Sequence, residues 1–515
     1  MQKQTFIQGT VILIIAGLLT RGLGFINRIV TANILGAEGV GLYMMAFPAL
    51  LLIITLTQLG LPVAISKFIA EADSRHDKEK MKQILVVSIS VTGVLSIIFT
   101  ALLMGLAPIL SGYFLTDERA LYPLLAITPI IPIVAISAVL RGYFQGRQNM
   151  KPPAIAQVLE QIVRITFVFI CTNLLLPYGL EFAAAGAMIA SVIGEMASLL
   201  YMAQTFKQTK PMKMRAAFFR TLRQGKRTFR ELMEIALPST GSRLIGSISL
   251  FFEPIIIAQS LALAGVSTAV ATAQYGVLSG FVIPILTLPT FITYSFSVTL
   301  VPTVSEAALN NKYDVIQHRL RQTLRTAIVA GSFSALFLYF FAEHVMTVIY
   351  NAPETAYYLK ILSLFSLFLY VQGPLQAVLQ GLNLARQAMT NTLIGAMIKM
   401  IALFMLTSQP ELGIEGAALA IAINMVLVTL LHFYVITKAV GFIFEGKFIF
   451  LTIIAGFISM MSTYLFVTTV LLNTSLLLTT IFSALLSGSL YMLLLSMFGV
   501  FPWDQIKRIL PTNRL

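Results

Sequence analysis

Arg21 and Arg28 stand seven positions apart in "TRGLGFINRIV", inside the first long apolar stretch of a 515-residue chain. A guanidinium keeps its charge in a dry site and can hold a phosphate or a carboxylate through two parallel hydrogen bonds. On a helix that spacing is about two turns, so both groups point to one side. Arg243, in a later apolar stretch, adds a third cation. Arginines lining one cleft would suit a fixed anion such as a phosphate. The simpler expectation is that Arg28 and Arg243 snorkel to opposite membrane surfaces and Arg21 sits in a structural ion pair.

The acids pose a matching question. Glu160 and Arg164, in "QVLEQIVRI", are four apart and share a helix face, a spacing at which they neutralise each other. Glu195 and Glu253 lie in other apolar stretches, where each is either a site for a coupling proton or sodium ion or a buried acid with a local partner. The four histidines are scattered and Cys171 is the only cysteine, so the spacing suggests no metal cluster, no cofactor and no intrachain disulfide.

These residues must be positioned by membrane-spanning helices. Hydrophobic residues make up 57% of the chain and charged residues 11%, against about 25% charged in a soluble domain, and the mean hydropathy is +0.87. Apolar runs long enough to cross about 30 Å of hydrocarbon as helices recur from end to end. They lack the short alternation of a β-barrel. Helices are expected near residues 9–33, 40–66, 83–112, 121–144, 154–177 and 183–206. A second set is expected near 232–260, 271–303, 325–350, 357–383, 389–408 and 414–437, and a last pair near 448–471 and 475–500. The expectation is an all-α polytopic membrane protein of 14 spans, whose first stretch is a retained span rather than a signal peptide.

Lysine and arginine collect in alternate short loops, among them Arg75 to Lys82, Arg147 with Lys151, Lys312 to Arg321, Arg386, and Lys438 with Lys447. Both termini are therefore expected to be cytoplasmic, with Arg119 the clear exception to the pattern. Residues 207–230 carry nine Lys or Arg and no acid. That segment suits anionic lipid headgroups, so the net charge of +14 reports orientation and implies no nucleic-acid partner.

"VLRGYFQGRQNM" at 139–150 returns as "VLQGLNLARQAM" at 378–389, a shift of 239 residues. The repeat predicts two parallel six-helix lobes, 1–206 and 231–440, around a central cavity, joined by the basic linker 207–230. Residues 441–515 add a final helix pair and a tail; the pair is expected to face lipid, with a groove for a long acyl or polyprenyl chain as the alternative. The same shift relates Glu160 to Lys399, opposite charges that could form a gate or an inter-lobe ion pair.

"TRGLGFINRIVTANILGAEGVGLY", "GLPVAISKFIAE" and "RGYFQGRQNMKPPAIAQVLEQIVRI" resemble signatures of the polysaccharide-transport branch of the multidrug, oligosaccharidyl-lipid and polysaccharide flippase superfamily. The resemblance runs end to end. It implies a flippase that moves an undecaprenyl diphosphate-linked saccharide by alternating access in the cell membrane, the diphosphate held by cavity arginines. For sporulation members of the branch it implies a lipid II-type peptidoglycan precursor for the spore cortex and the membrane around the forespore. Arg21 matches the arginine before Leu-Gly-Phe in the first helix of that branch's lipid flippases; their next first-helix arginine falls at Asn27, one place before Arg28. The second-helix arginine of some members has no counterpart in "FPALLLIITLTQLG". Competing readings are a multidrug or cation antiporter, which predicts a carboxylate-lined cavity, a glycan polymerase, and a scaffold.

Overall fold

The computed structural model describes residues 6–208, 218–442, 445–470 and 475–500. The middle of the basic linker, the turn expected around Asn473 and the tail bearing Lys507, Arg508 and Arg514 lie outside the described residues. No strand occurs among the described residues. The first half of the chain forms α1 (Phe6–Gln58), α2 (Leu61–Ser74), α3 (Lys78–Ile109), α4 (Leu121–Ile127), α5 (Ile130–Gly146), α6 (Lys151–Leu175), α7 (Leu180–Gln208) and α8 (Phe218–Gln224). Then come α9 (Lys226–Leu263), α10 (Thr268–Gly276), α11 (Ile283–Thr287), α12 (Thr290–Leu309), α13 (Tyr313–Phe340) and α14 (Ala342–Tyr350). The chain closes with α15 (Ala356–Gly381), α16 (Ala385–Thr407), α17 (Ile414–Val440), α18 (Gly446–Val470) and α19 (Leu476–Met497).

This is an all-α, multi-pass membrane protein, with 13 helical segments among the described residues long and apolar enough to cross a bilayer. The first segment, Ile15–Ser74, has 60 residues, far more than the roughly 20 that one crossing needs. A count of fourteen spans requires reading it as two crossings. The turn is at Gly36, whose φ of 64° and ψ of −174° interrupt the helical backbone inside α1 and suit a residue without Cβ.

Several expected spans are subdivided, each for a local backbone reason. The second, expected to run to residue 66, is cut at Gln58, where α1 stops because Leu59 and Gly60 take positive φ. The chain restarts at α2 with Pro62 in its first turn, where a missing N–H costs nothing. The span expected at 271–303 is divided at Pro284 and Pro289 into α10, α11 and α12, with a π-helical turn over Val277–Val282. The helix expected at 325–350 begins earlier, at Tyr313, and ends at Phe340.

Two compact units result: Met1–Gly280 with Thr407–Ile414, and Phe281–Leu406 with Glu415–Leu515. Packing therefore places the linker helix α8, together with α9 and α10 from the start of the second sequence repeat, in the first unit. The core of that unit gathers Leu61, Ile65, Ile69, Ile84, Leu85, Tyr143 and Phe144 from α2, α3 and α5. Two glycines of α5 make the α2 contact possible. A Cβ on Gly142 would lie 2.9 Å from the Pro62 carbonyl oxygen, and one on Gly146 would lie 2.6 Å from that of Ser66.

In the second unit, α12, α13, α15 and α17 share a core around Val304, Leu320, Leu375, Val378 and Ile436. Tyr370 of α15 donates to the Leu286 carbonyl at 2.9 Å. The last helix pair is joined by hydroxyls: Ser459 of α18 donates to the Ser487 carbonyl of α19 at 2.6 Å, and Tyr491 donates to Val329 of α13 at 3.0 Å. Apolar side chains such as Phe450, Phe457, Leu478 and Leu485 remain exposed on this pair.

Because the α2 backbone blocks any Cβ at positions 142 and 146, Gly142→Ala and Gly146→Ala should each destabilise the protein by about 1–3 kcal/mol, the usual cost of overpacking. Gly93→Ala, with nothing within 4 Å, is the matched control. Thermal unfolding in detergent reads the difference; equal melting of all three variants would contradict the close approach.

Candidate functional site

Four charged side chains from three helices of the first unit meet inside the apolar bundle. Glu160 and Arg164 form an ion pair on α6. Glu195 of α7 lies within electrostatic reach of Glu160. Arg141 of α5 brings a guanidinium nitrogen to 3.9 Å from Glu195 Oε1. Glu160 is only 9% exposed and Glu195 5%. The helices can come this close because α7 presents small residues to α6: a Cβ on Gly194 would lie 2.9 Å from the Glu160 carbonyl oxygen, and one on Gly186 2.8 Å from that of Cys171. A charge cluster of this kind lets each ion keep its charge away from water, at the cost of fixing its neighbours.

The α1 arginines lie on a helix that packs against α6. Arg21 and Arg28 are both exposed on the surface of α1. Gly24, which shares their helix face, looks onto α6: its Cβ would lie 3.9 Å from Gln161 Oε1. Gln161 follows Glu160 directly and precedes Arg164 by three residues. The polar faces of α1 and α6 thus adjoin. Arg243 of α9 is also exposed and sits one turn before Ser247, whose hydroxyl is 2.8 Å from that of Thr55 on α1. Glu253 of α9 is buried, within electrostatic reach of Tyr275 on α10. Lys399 is buried on α16, in the second unit.

A second polar network closes the end of the first unit opposite its basic loops. Asp117 and Glu38 both bind Arg119, at 2.9 and 2.7 Å. Thr272 of α10 donates to Asp117 at 2.7 Å. Around it the backbones of α1 and α10 touch: a Cβ on Gly41 would collide with the Thr272 carbonyl, and one on Gly276 with that of Ala37. Arg119 departs from the loop-charge pattern because two carboxylates already cancel it. Burial alone would raise the Asp117 carboxyl, but hydrogen bonds from Arg119 and Thr272 hold it below the usual carboxylate range. At the basic end Lys80 of α3 binds Glu231 of α9 at 2.6 Å and keeps that carboxyl low as well.

The structure therefore brings Glu160, Arg164 and Glu195 together and adds Arg141, which no spacing in the sequence singles out. Arg141 lies inside the repeated motif, but its counterpart at position 380 is glutamine, so a search for matched charges misses it. Asp117 and Glu38 are, by sequence alone, only acids near loops. Their partners come from segments far apart in the chain, and nothing in local spacing marks them.

The polysaccharide biosynthesis protein family matches residues 6–308 and the MatE family residues 248–405. Stage V sporulation protein B of Bacillus subtilis is 55% identical over 463 residues, 89% of each chain. The lipid II flippase MurJ of the same organism is 26% identical over 462 residues, 85% of this chain and 84% of its own. Among solved structures, the lipid II flippase MurJ in an inward closed conformation superposes with a TM-score of 0.70 at 17% identity, covering 96% of this chain and 100% of that one. An inward-facing multidrug resistance MATE family transporter of the MOP superfamily gives 0.64 at 19% identity, over 81% of this chain and 94% of that one.

The low Asp117 carboxyl predicts a pH-dependent contribution to stability. With its folded pKa depressed, the carboxylate stabilises the fold at neutral pH, and that contribution is lost as pH falls through the folded pKa. Asp117→Asn should therefore cost about 1.5–3 kcal/mol at neutral pH. The deficit should shrink as pH falls below about 4, the ordinary aspartate value. Melting curves of both proteins across that range check the convergence.

Proposed function

The chain belongs to the polysaccharide biosynthesis protein family, and we propose that it is a flippase for an undecaprenyl diphosphate-linked saccharide, carrying no catalytic centre of its own. The observation that carries this reading is the pair of arginines on one face of α1, Arg21 and Arg28, with Gly24 between them looking onto the polar face of α6. Guanidinium groups in that setting are suited to a diphosphate. Arg243 on α9 is the third proposed contact. The saccharide would cross with the diphosphate while the polyprenyl chain stays in lipid, and the two repeat lobes, 1–206 and 231–440, would alternate its access between the faces. The similarity to the lipid II flippase MurJ favours a lipid II-type precursor as the substrate, and the similarity to stage V sporulation protein B favours its use in sporulation, for the spore cortex.

In this reading both termini are cytoplasmic, the basic loops and linker 207–230 lie against anionic headgroups, and the protein works in the cell membrane or the membrane around the forespore. Glu195 and Glu253 are the proposed places for a coupling proton or sodium ion. The match of residues 248–405 to the MatE family also supports a second reading, export of drugs or cations.

Reconstituted vesicles containing fluorescent lipid II separate the two. Wild type should expose the labelled headgroup to an outside probe, and Arg21→Ala should slow this by about 10- to 100-fold, the loss of one charge-assisted contact of about 1.5–3 kcal/mol. Equal rates would remove Arg21 from the site. No exposure by wild type, together with export of a cationic dye, would favour the second reading.

A further inference from the structure

We propose that Glu160 and Glu195 together form one proton-binding site, and that Arg141 and Arg164 make its occupancy respond to an anion on the neighbouring face of α1. The linkage to the anion rests on the flippase reading; the proton site does not.

The two acids are buried on helices packed at close range, since Gly194, next to Glu195, rests on the Glu160 carbonyl. Two carboxylates buried side by side repel each other, so such a pair favours holding one proton. Glu195 supplies the place for it. Its Oε1 is buried with no hydrogen-bond partner, and the Arg141 nitrogen at 3.9 Å is beyond hydrogen-bonding distance. Gln161 Oε1 and the Nε atoms of Arg141 and Arg164 are also buried and unpartnered beside it.

The charge balance gives the site its consequence. With both acids ionised, the two arginines are cancelled and the cluster is neutral. With one proton bound, it carries a single positive charge. Arg141 on α5 faces the pair, and α1, which packs against both α6 and α7, carries Arg21, Arg28, Glu38 and Tyr43. Glu38 is bound to Arg119, and α4 contributes no titratable side chain except Tyr122. An anion arriving at Arg21 and Arg28 would therefore favour the protonated pair, and by linkage the proton would favour the anion. A lipid diphosphate would take up a proton on binding and release it on leaving.

Infrared difference spectroscopy of the full chain in lipid tests the proton site without any substrate. The wild type should show a carboxylic-acid C=O band that titrates with pH and shifts in deuterated water. Both Glu160→Gln and Glu195→Gln, nearly isosteric, should remove it, while thermal melting confirms that each variant is folded. A band that survives either substitution, or no titrating band across the pH range in which the protein stays folded, would overturn the proposal. Calorimetry with undecaprenyl diphosphate in two buffers of different ionisation heat tests the linkage. Wild type should take up a proton on binding and Glu160→Gln should not; binding with equal heats in both buffers overturns the linkage. Absence of binding counts against the flippase reading, and the infrared band then decides the proton site by itself.

Discussion

An ionised side chain inside a bilayer costs a few kcal/mol unless a partner of opposite charge or a wet surface lies within reach. A chain with so much apolar surface therefore has to solve a placement problem at each intramembrane charge, and most of the polar architecture follows from how it does so. In the first unit the solution is to draw helices together until short acids meet long bases. Arg141, Glu160, Arg164 and Glu195 need α5, α6 and α7 at close range. That range exists because Gly194 and Gly186 let α7 rest directly on the α6 backbone. Small residues are the usual means of close approach in membrane bundles. Here they serve charge neutralisation as well as packing.

The two sequence halves share a repeated motif but not a chemistry. Positions 141, 160 and 195 of the first repeat correspond, at the shift of 239, to Gln380, Lys399 and Tyr434. No equivalent four-charge cluster can form from those residues. Among the described residues the second unit relies instead on neutral polar contacts, such as Asn391 with His432 at 3.1 Å and the hydroxyl seam between α18 and α19. Its acid–base contacts sit at the helix ends, where Glu445 meets both Arg321 and Arg325.

The contact of α1 with α10 has a related logic. These elements come from different repeats yet pack in one unit, with Gly41 and Gly276 each facing the other helix's backbone. Around the contact, Asp117, Arg119, Glu38 and Thr272 satisfy one another. Such a junction combines a dry backbone seam with a polar rim, and separating it exposes both at once.

Membrane class, the helical character and the approximate spans were legible in the sequence, because each depends on hydrophobicity along a short window. So was the Glu160–Arg164 pair, since four residues on a helix are one turn. The break at Gly36 and the restart after Gly60 were only half legible: glycine and proline mark where a helix can turn, while packing decides which of them does. What the tertiary structure alone decided is the company each charge keeps. Arg141 meeting Glu195, Asp117 meeting Thr272, and Gly24 aligning the α1 arginines with α6 all join segments separated by tens to hundreds of residues. No local pattern encodes such pairs, because the energy that selects them arises only when helices are already close enough to exclude lipid and water between them.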